Sequence, residues 1–459
     1  MIRPAPLVSL LLCATAAACF IAWEQHLQLA ALGPTVRKAA LLSQENDALR
    51  TALAAAQQQA ADAKNAVRRA EIERDTAEIR GLSFTSPVEY EVLDKAGIRQ
   101  VVAGKLSEIY TDQEIQNMAT GLSAFGLLPP NFPLKQTYIN LLGEQIAAFY
   151  DQHQHKLFMF RDASLENSQN RVILSHELTH ALQDQNFGLL KMPLEIKNND
   201  DEAAAASALI EGDATLEMTQ YMQKDFSLQS LADTVTYSAT QSMVQIRKAP
   251  RYLRQMLVFP YIQGQQFCAA VYARGGFPAL SAVYADPPQS TAQILHPEKY
   301  LEQPRENPIP VDFPNKIFQG QKPLADNVLG EMGCRVLFAQ HMEEGDAEKV
   351  AAGWRGDRYL VYDQGNELVW KSVWSSRQAA SDVEHAIAGM CIDRFHLPFF
   401  QSGSDCFSSL RNGHLAFIDY AAQNIKDADG INEVVFILAT DQKSLDLLEA
   451  KFSLLLNHG

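Results

Sequence analysis

The stretch Arg171–Leu182, Arg-Val-Ile-Leu-Ser-His-Glu-Leu-Thr-His-Ala-Leu, leaves the chain little conformational choice. It holds no Pro or Gly, and Val172, Ile173, Leu174, Leu178, Ala181 and Leu182 wrap most of a helical circumference, which predicts a buried helix. On that helix His176 and His180 project from one face about 6 Å apart. An H-E-x-x-H at this spacing lets two imidazoles grip one Zn²⁺ while Glu177 reaches the water on the metal. The plainer reading is a core helix with two incidental histidines. With 11 His in 459 residues, a chance H-E-x-x-H arises on the order of once per hundred such chains, so the metal reading is preferred.

Charge and composition narrow the class. The net charge of −15 argues against a nucleic-acid partner, which needs a basic face. Hydrophobic residues at 47% and charged residues at 20% describe ordinary globular material. Residues 1–23 stand apart: Arg3 is the one charged side chain before Glu24, and Leu7–Trp23 is apolar throughout. This reads as an uncleaved signal-anchor, with a cleaved signal or processing before Cys19 as alternatives. The charge flanks favour export, which puts the chain beyond this leader on the extracytoplasmic side of the cell membrane or envelope. None of the six cysteines has C-x-x-C spacing. Cys391 and Cys406 could pair across a short loop, or the cysteines beyond the leader could be buried thiols.

Four regions are set apart by texture: an anchor or signal at 1–23, a helical stalk at 24–80, a metal-binding domain at 81–320, and a C-terminal α+β module at 321–459. The stalk has neither Pro nor Gly from Val36 to Arg80. A heptad runs through it, with Leu42, Leu49 and Ala56 at d and Asn46, Leu53 and Ala60 at a, consistent with a homodimeric coiled coil or a lone solvated helix. The next hundred residues read as helical, Val88–Ile109 and then Thr111–Phe125, with Thr111 and Glu114 as a capping pair. The apolar segments Gln145–Tyr150 and Lys156–Phe160 flank a polar turn and predict a β-hairpin. His153 and His155 in that turn read as exposed residues rather than ligands. A second helix, capped near Asn198–Asp200, spans about Asp201–Tyr221. Breaks are expected at Pro250, Pro260 and Gly275–Gly276. A proline cluster from Pro304 to Pro314 marks a domain boundary. Beyond it Arg358–Tyr362, Leu368–Trp374, His414–Ile418 and Glu433–Leu438 read as strands, Ala379–Ala388 and Ser444–Leu455 as helices. The fold class is α+β and mostly helical.

A catalytic zinc needs a third protein ligand. Glu211, within Leu-Ile-Glu-Gly-Asp-Ala on the second helix, is the best candidate, because a lone carboxylate among Ala, Leu and Ile is costly to bury. Glu217 and Glu202 are the reserves. Gly212 permits close approach to the first helix. The two histidines with a helical glutamate downstream resemble the gluzincin metallopeptidases, the group containing thermolysin. The pairing of Ser-His-Glu-Leu-Thr-His-Ala-Leu-Gln-Asp with Glu-Gly-Asp-Ala resembles a set of poorly characterised bacterial metallopeptidases. The resemblance covers about residues 85–305 and is specific at the two helices. It implies a zincin-like core, Zn²⁺ on His176, His180 and Glu211, Glu177 as general base, and the hairpin as an edge strand for an extended peptide substrate. Asp213 or Asp184 would accept a ligand histidine's free N–H. His296 is the candidate oxyanion donor, with Tyr284 and Tyr261 as rivals. Two functions therefore compete: a membrane-tethered zinc peptidase acting on proteins or peptides, and a non-enzymatic envelope scaffold with a structural metal site.

Overall fold

The computed structural model describes residues 5–145, 148–161, 163–225, 244–313, 322–362, 367–395, 400–401, 406–411, 414–422 and 432–439, without the side chains of 5–22, 26–32, 34–35, 40, 95, 142–145, 244–245 and 400–422. The fold is α+β and mostly helical, with small sheets. Contacts divide the chain into two compact units, Met1–Ala70 and Glu71–Gly459.

The first unit belongs to one helix, α1 (Ala5–Arg80). Its Leu42, Leu49, Leu53 and Val67 are 49–64% exposed, so these apolar positions find no cover among the described residues. The expected anchor falls on side chains outside the described residues. Among the described residues no helix is long and apolar enough to cross a membrane. The last ten residues of α1 belong to the second unit, and Ile72, Thr76 and Arg80 are fully buried there.

The second unit begins with β1 (Glu89–Leu93), where a helix was expected. Glu-Tyr-Glu-Val-Leu alternates with period two, and Asp94 caps the following α2 (Lys95–Ile109) by accepting from Gly97 N, so helix starts only after the strand. Thr111 and Glu114 close a capping box on α3 (Asp112–Ala124), as their spacing predicts. After α4 (Leu134–Gln145), β2 (Ala148–Asp151) and β3 (Lys156–Phe160) form the expected hairpin. The sheet order is β1-β3-β2, with β1 parallel to β3, so β2 is an edge strand. α5 (Ser168–Phe187) is capped by Asn167 and ended by Gly188 in the left-handed region. α6 (Asp200–Lys224) is capped by Asn199.

The next long helix is α7 (Arg251–Val283). Pro250 starts it and Pro260 is absorbed inside it. Gly275 and Gly276 leave helical geometry, Gly276 with φ of 67°. The second half of the unit holds β4 (Ala325–Asn327), α8 (Gly330–Phe338), β5 (Trp354–Tyr362), β6 (Glu367–Trp374), α9 (Arg377–Phe395), β7 (Phe400–Gln401), β8 (Cys406–Arg411), β9 (His414–Ala422) and β10 (Asn432–Ala439). These strands form an antiparallel sheet ordered β4-β5-β6-β10-β9-β8-β7. The expected closing helix at 444–455 lies outside the described residues. Cys268, Cys334 and Cys391 are buried free thiols.

The boundary expected near residue 320 does not divide the unit. One apolar core joins Phe125 and Leu209 to Trp354, Trp370 and Phe436. Phe125 meets the Tyr359 and Trp370 rings edge-on at 5.1 and 5.5 Å, and Arg394 donates to the Ala124 and Ser123 carbonyls at the end of α3. The proline-rich segment is held rather than loose: Ile309 N donates to Arg355 O on β5 at 2.6 Å. A smaller core gathers Ile72, Tyr150, Leu157, Leu174, Leu178 and Tyr221 around one face of α5.

Gly212 serves a packing role, against α7 rather than α5. A Cβ on Gly212 would collide with the Gly264 backbone, and one on Gly264 with the Ala208 carbonyl. The two helices therefore touch backbone to backbone beside Glu211. Gly212→Ala should cost about 3 kcal/mol in urea unfolding. Gly104→Ala, where a Cβ meets nothing within 4 Å, should instead gain about 0.5–1 kcal/mol. Equal effects at the two glycines would contradict this packing.

Candidate metal centre

α5 buries Leu174, Leu178 and Ala181 in the smaller core, and its other side faces α6. That orientation places His176, His180 and Glu211 in one cluster, with His176 and His180 7% and 8% exposed. The His176 and His180 Nε2 atoms lie 3.2 Å apart, and Glu211 Oε2 lies 3.1 and 3.3 Å from them. The two rings are near perpendicular, at 88°. Ligands about 2.0–2.1 Å from a tetrahedral zinc stand about 3.3 Å from one another. The three atoms thus already have the spacing of three corners of such a tetrahedron. Among the described residues this is the one His/Cys/Asp/Glu group able to hold a metal ion.

Proton positions follow from the surrounding bonds. Gln183 Nε2 donates to Ile210 O and to Asp213 Oδ2, both at 3.0 Å. Its Oε1 therefore faces His180 Nδ1 at 2.9 Å, and Nδ1 must carry the proton. The His180 Nε2 lone pair is left pointing at His176 and Glu211. A metal ion among these three atoms, or a proton on His176 Nε2 shared with Glu211, accommodates their close approach. Burial raises the Glu211 carboxyl, but the charges and hydrogen bonds of His180 and His176 outweigh it and hold it well below the carboxylate range. Burial lowers His180, yet the Glu211 carboxylate outweighs that and pushes it up to about 9. His176 Nδ1 is buried with no hydrogen-bond partner among the described residues.

Glu177 follows His176 directly on α5. Its Oε2 accepts from Tyr150 N on the edge strand β2 at 2.8 Å, and burial, opposed by the two histidines, raises its carboxyl. Tyr261 on α7 stacks its ring 6.1 Å from that of His176. The Glu211 charge, ahead of burial, lifts the Tyr261 phenol well above its ordinary value, so it remains an O–H donor. A cavity of about 220 Å³ opens beside these two residues, lined chiefly by Leu141, Leu253, Met256, Leu257 and Pro260.

Other candidates sit elsewhere. His296 bonds Glu331 at 2.7 Å. Glu331 on α8 stands at the Asp201 end of α6, where Asp201 accepts from Thr291 and Glu331 acts on it electrostatically. Asp201 and Glu211 are ten residues apart on one helix, about 15 Å, so His296, expected as the oxyanion donor, is held by Glu331 at the far end of α6 and is not brought to the cluster. Tyr284 is spent on Asp213 Oδ2 at 2.8 Å, which leaves Tyr261 as the phenol at the site. Glu217 accepts from Thr179 Oγ1 and Glu202 from Asn199, both away from the triangle. Asp184 accepts from Tyr150 Oη and His155 Nδ1, not from a ligand histidine, and His153 pairs with Glu195. Gln183 takes the supporting role given to Asp213 or Asp184, with Asp213 one bond behind. It lies three residues beyond His180, one turn along the same face, a spacing visible in the sequence.

A family model described as a domain of unknown function (DUF8575) matches residues 319–396, in the second half of the unit and apart from the cluster. No curated protein and no solved structure matches the chain. The geometry makes its own demand: Glu211→Ala and His180→Ala should each weaken Zn²⁺ binding at least about 100-fold in chelator competition, while Glu202→Ala should leave it unchanged. Equal zinc affinity in all three would contradict the ligand set.

Proposed function

We propose that the chain is a zinc-dependent peptidase of gluzincin type, with a zincin-like core, exported and tethered to the cell membrane or envelope by its leader. The observation that carries this reading is the triangle of His176, His180 and Glu211 donor atoms at 3.1–3.3 Å with the Glu177 carboxylate on the adjoining turn. A Zn²⁺ held there supplies Lewis acidity and brings the pKa of its water down to about 7.

The chain's own groups divide the remaining work. Tyr150 N–H fixes Glu177 Oε2, which leaves Oε1 to take a proton from the attacking water and pass it to the leaving amine. Tyr261 O–H donates to the carbonyl oxygen as it gains negative charge. The edge strand β2 offers backbone groups to an extended peptide, which adds as a further strand. The cavity beside Glu211 suits an apolar side chain of that peptide. The exposed heptad positions of α1 support pairing of two copies through the stalk.

Glu177→Gln should lower hydrolysis of a denatured protein or peptide mixture by about 10²–10⁴-fold, with zinc content unchanged. Tyr261→Phe should lower kcat by about 10²-fold with little change in KM. Full zinc in the wild-type chain with no hydrolysis of any peptide would favour the structural-metal scaffold instead. Hydrolysis indifferent to Glu177→Gln would refute the mechanism.

A further inference from the structure

Arg80 closes α1 and is completely buried. Its guanidinium pairs with one carboxylate: Nη2 donates to Asp213 Oδ2 at 3.0 Å, and Nε lies 2.8 Å from Oδ1 without a hydrogen bond between them. Nη1 donates to Ser281 Oγ at 3.0 Å, and the Phe277 ring lies beneath the cation, 4.8 Å from its centroid. Asp213 sits on α6 two residues past Glu211. Its Oδ2 also accepts from Tyr284 Oη and Gln183 Nε2. Gln183 in turn accepts from His180 Nδ1. A continuous run of oriented bonds thus connects the last residue of α1 to one of the three clustered donors: Arg80, Asp213, Gln183, His180.

The direction of that run matters. An amide has a donor end and an acceptor end, and nothing in Gln183 itself chooses which faces His180. Arg80 Nη2 donates to Asp213 Oδ2, so that oxygen faces Gln183 as an acceptor. With the Ile210 carbonyl as the second acceptor on that side, Gln183 turns its NH₂ towards Asp213 and its oxygen towards His180. If Gln183 were reversed, its NH₂ would demand a lone pair on Nδ1, the ring proton would move to Nε2, and that nitrogen would lose the lone pair a metal needs.

We propose that Arg80 is a positioning residue for the metal centre: through Asp213 and Gln183 it holds His180 in the tautomer that presents Nε2 to the ion. The metal centre is thereby built from α1 as well as from α5 and α6. This rests on the metal reading of the cluster, and not on the peptidase activity.

The test is a double-mutant cycle on zinc affinity in the full-length chain, by competition with a chromophoric chelator. Arg80→Met and Gln183→Met should each weaken zinc binding about 10–100-fold, and the double variant should be no weaker than Gln183→Met alone. Ser281→Ala, which removes an Arg80 contact outside the run, should leave affinity unchanged. The visible absorption of the Co²⁺-loaded protein should shift alike in Arg80→Met and Gln183→Met. Removing a buried cation can also unfold the chain. Should Arg80→Met show no cooperative melt, Arg80→Lys, which keeps the charge but loses the planar guanidinium that reaches Asp213 and Ser281 together, replaces it in the cycle, with the same non-additivity expected. Affinity equal to wild type in the Arg80 variant, or losses that add in the double variant, would overturn the proposal. A wild-type chain that takes up no zinc would overturn the metal reading itself, a result distinct from either.

Discussion

The meeting of His176, His180 and Glu211 at one point is the constraint that the second unit is built around. Two imidazole nitrogens and a carboxylate oxygen crowd within 3.3 Å in a largely dry site. Without a metal or a proton among them, the two nitrogen lone pairs and the carboxylate would repel one another. The protein does not relieve it by turning a ring or withdrawing the acid. Gln183 fixes one ring, and the packing of α6 on α5 and α7 fixes the acid. Held in this way, the three atoms keep the mutual spacing that the ligands of one metal ion would have.

The packing around the cluster explains how the strain is borne. α5 is held on one side by the smaller core and on the other by α6, and α6 is pressed onto the backbone of α7 at Gly212 and Gly264. The same approach brings Tyr261 of α7 over His176. Behind the donors lies a buried ion pair, Arg80 with Asp213. Replacing such a pair by apolar side chains is often neutral or stabilising, so its presence argues for a specific role rather than for bulk stability. The edge strand β2 is tied to the same helix through Tyr150, whose backbone orients Glu177 and whose hydroxyl reaches Asp184. Donor atoms, base and the candidate peptide edge therefore share one rigid frame.

Much of this was legible in the chain. The His176–His180 spacing, the capping residues Thr111, Glu114 and Asn199, and the hairpin turn all express local rules that act within a few residues. What escaped was long-range. β1 looked helical because its Tyr, Val and Leu fit either period over so short a span, and its pairing with β3 is set by residues some 67 positions away. The proline cluster looked like a linker, yet it lies against β5, a contact that no local signal encodes. His296 was an attractive donor on composition alone, but Glu331, 35 residues later, claims it. Arg80 closes an exposed-looking helix, and only the tertiary fold shows it buried against Asp213. Gln183 was within reach of sequence reasoning, since it lies on the His180 face one turn on.

The central claim is that one ion is shared by two imidazoles and a carboxylate. X-ray absorption at the zinc K-edge of the purified, full-length protein measures that directly. The account predicts one zinc per chain with a shell of nitrogen and oxygen at about 2.0–2.2 Å and the outer-shell scattering of two histidine rings. A shell dominated by sulfur near about 2.3 Å, or one lacking the imidazole signature, would contradict it.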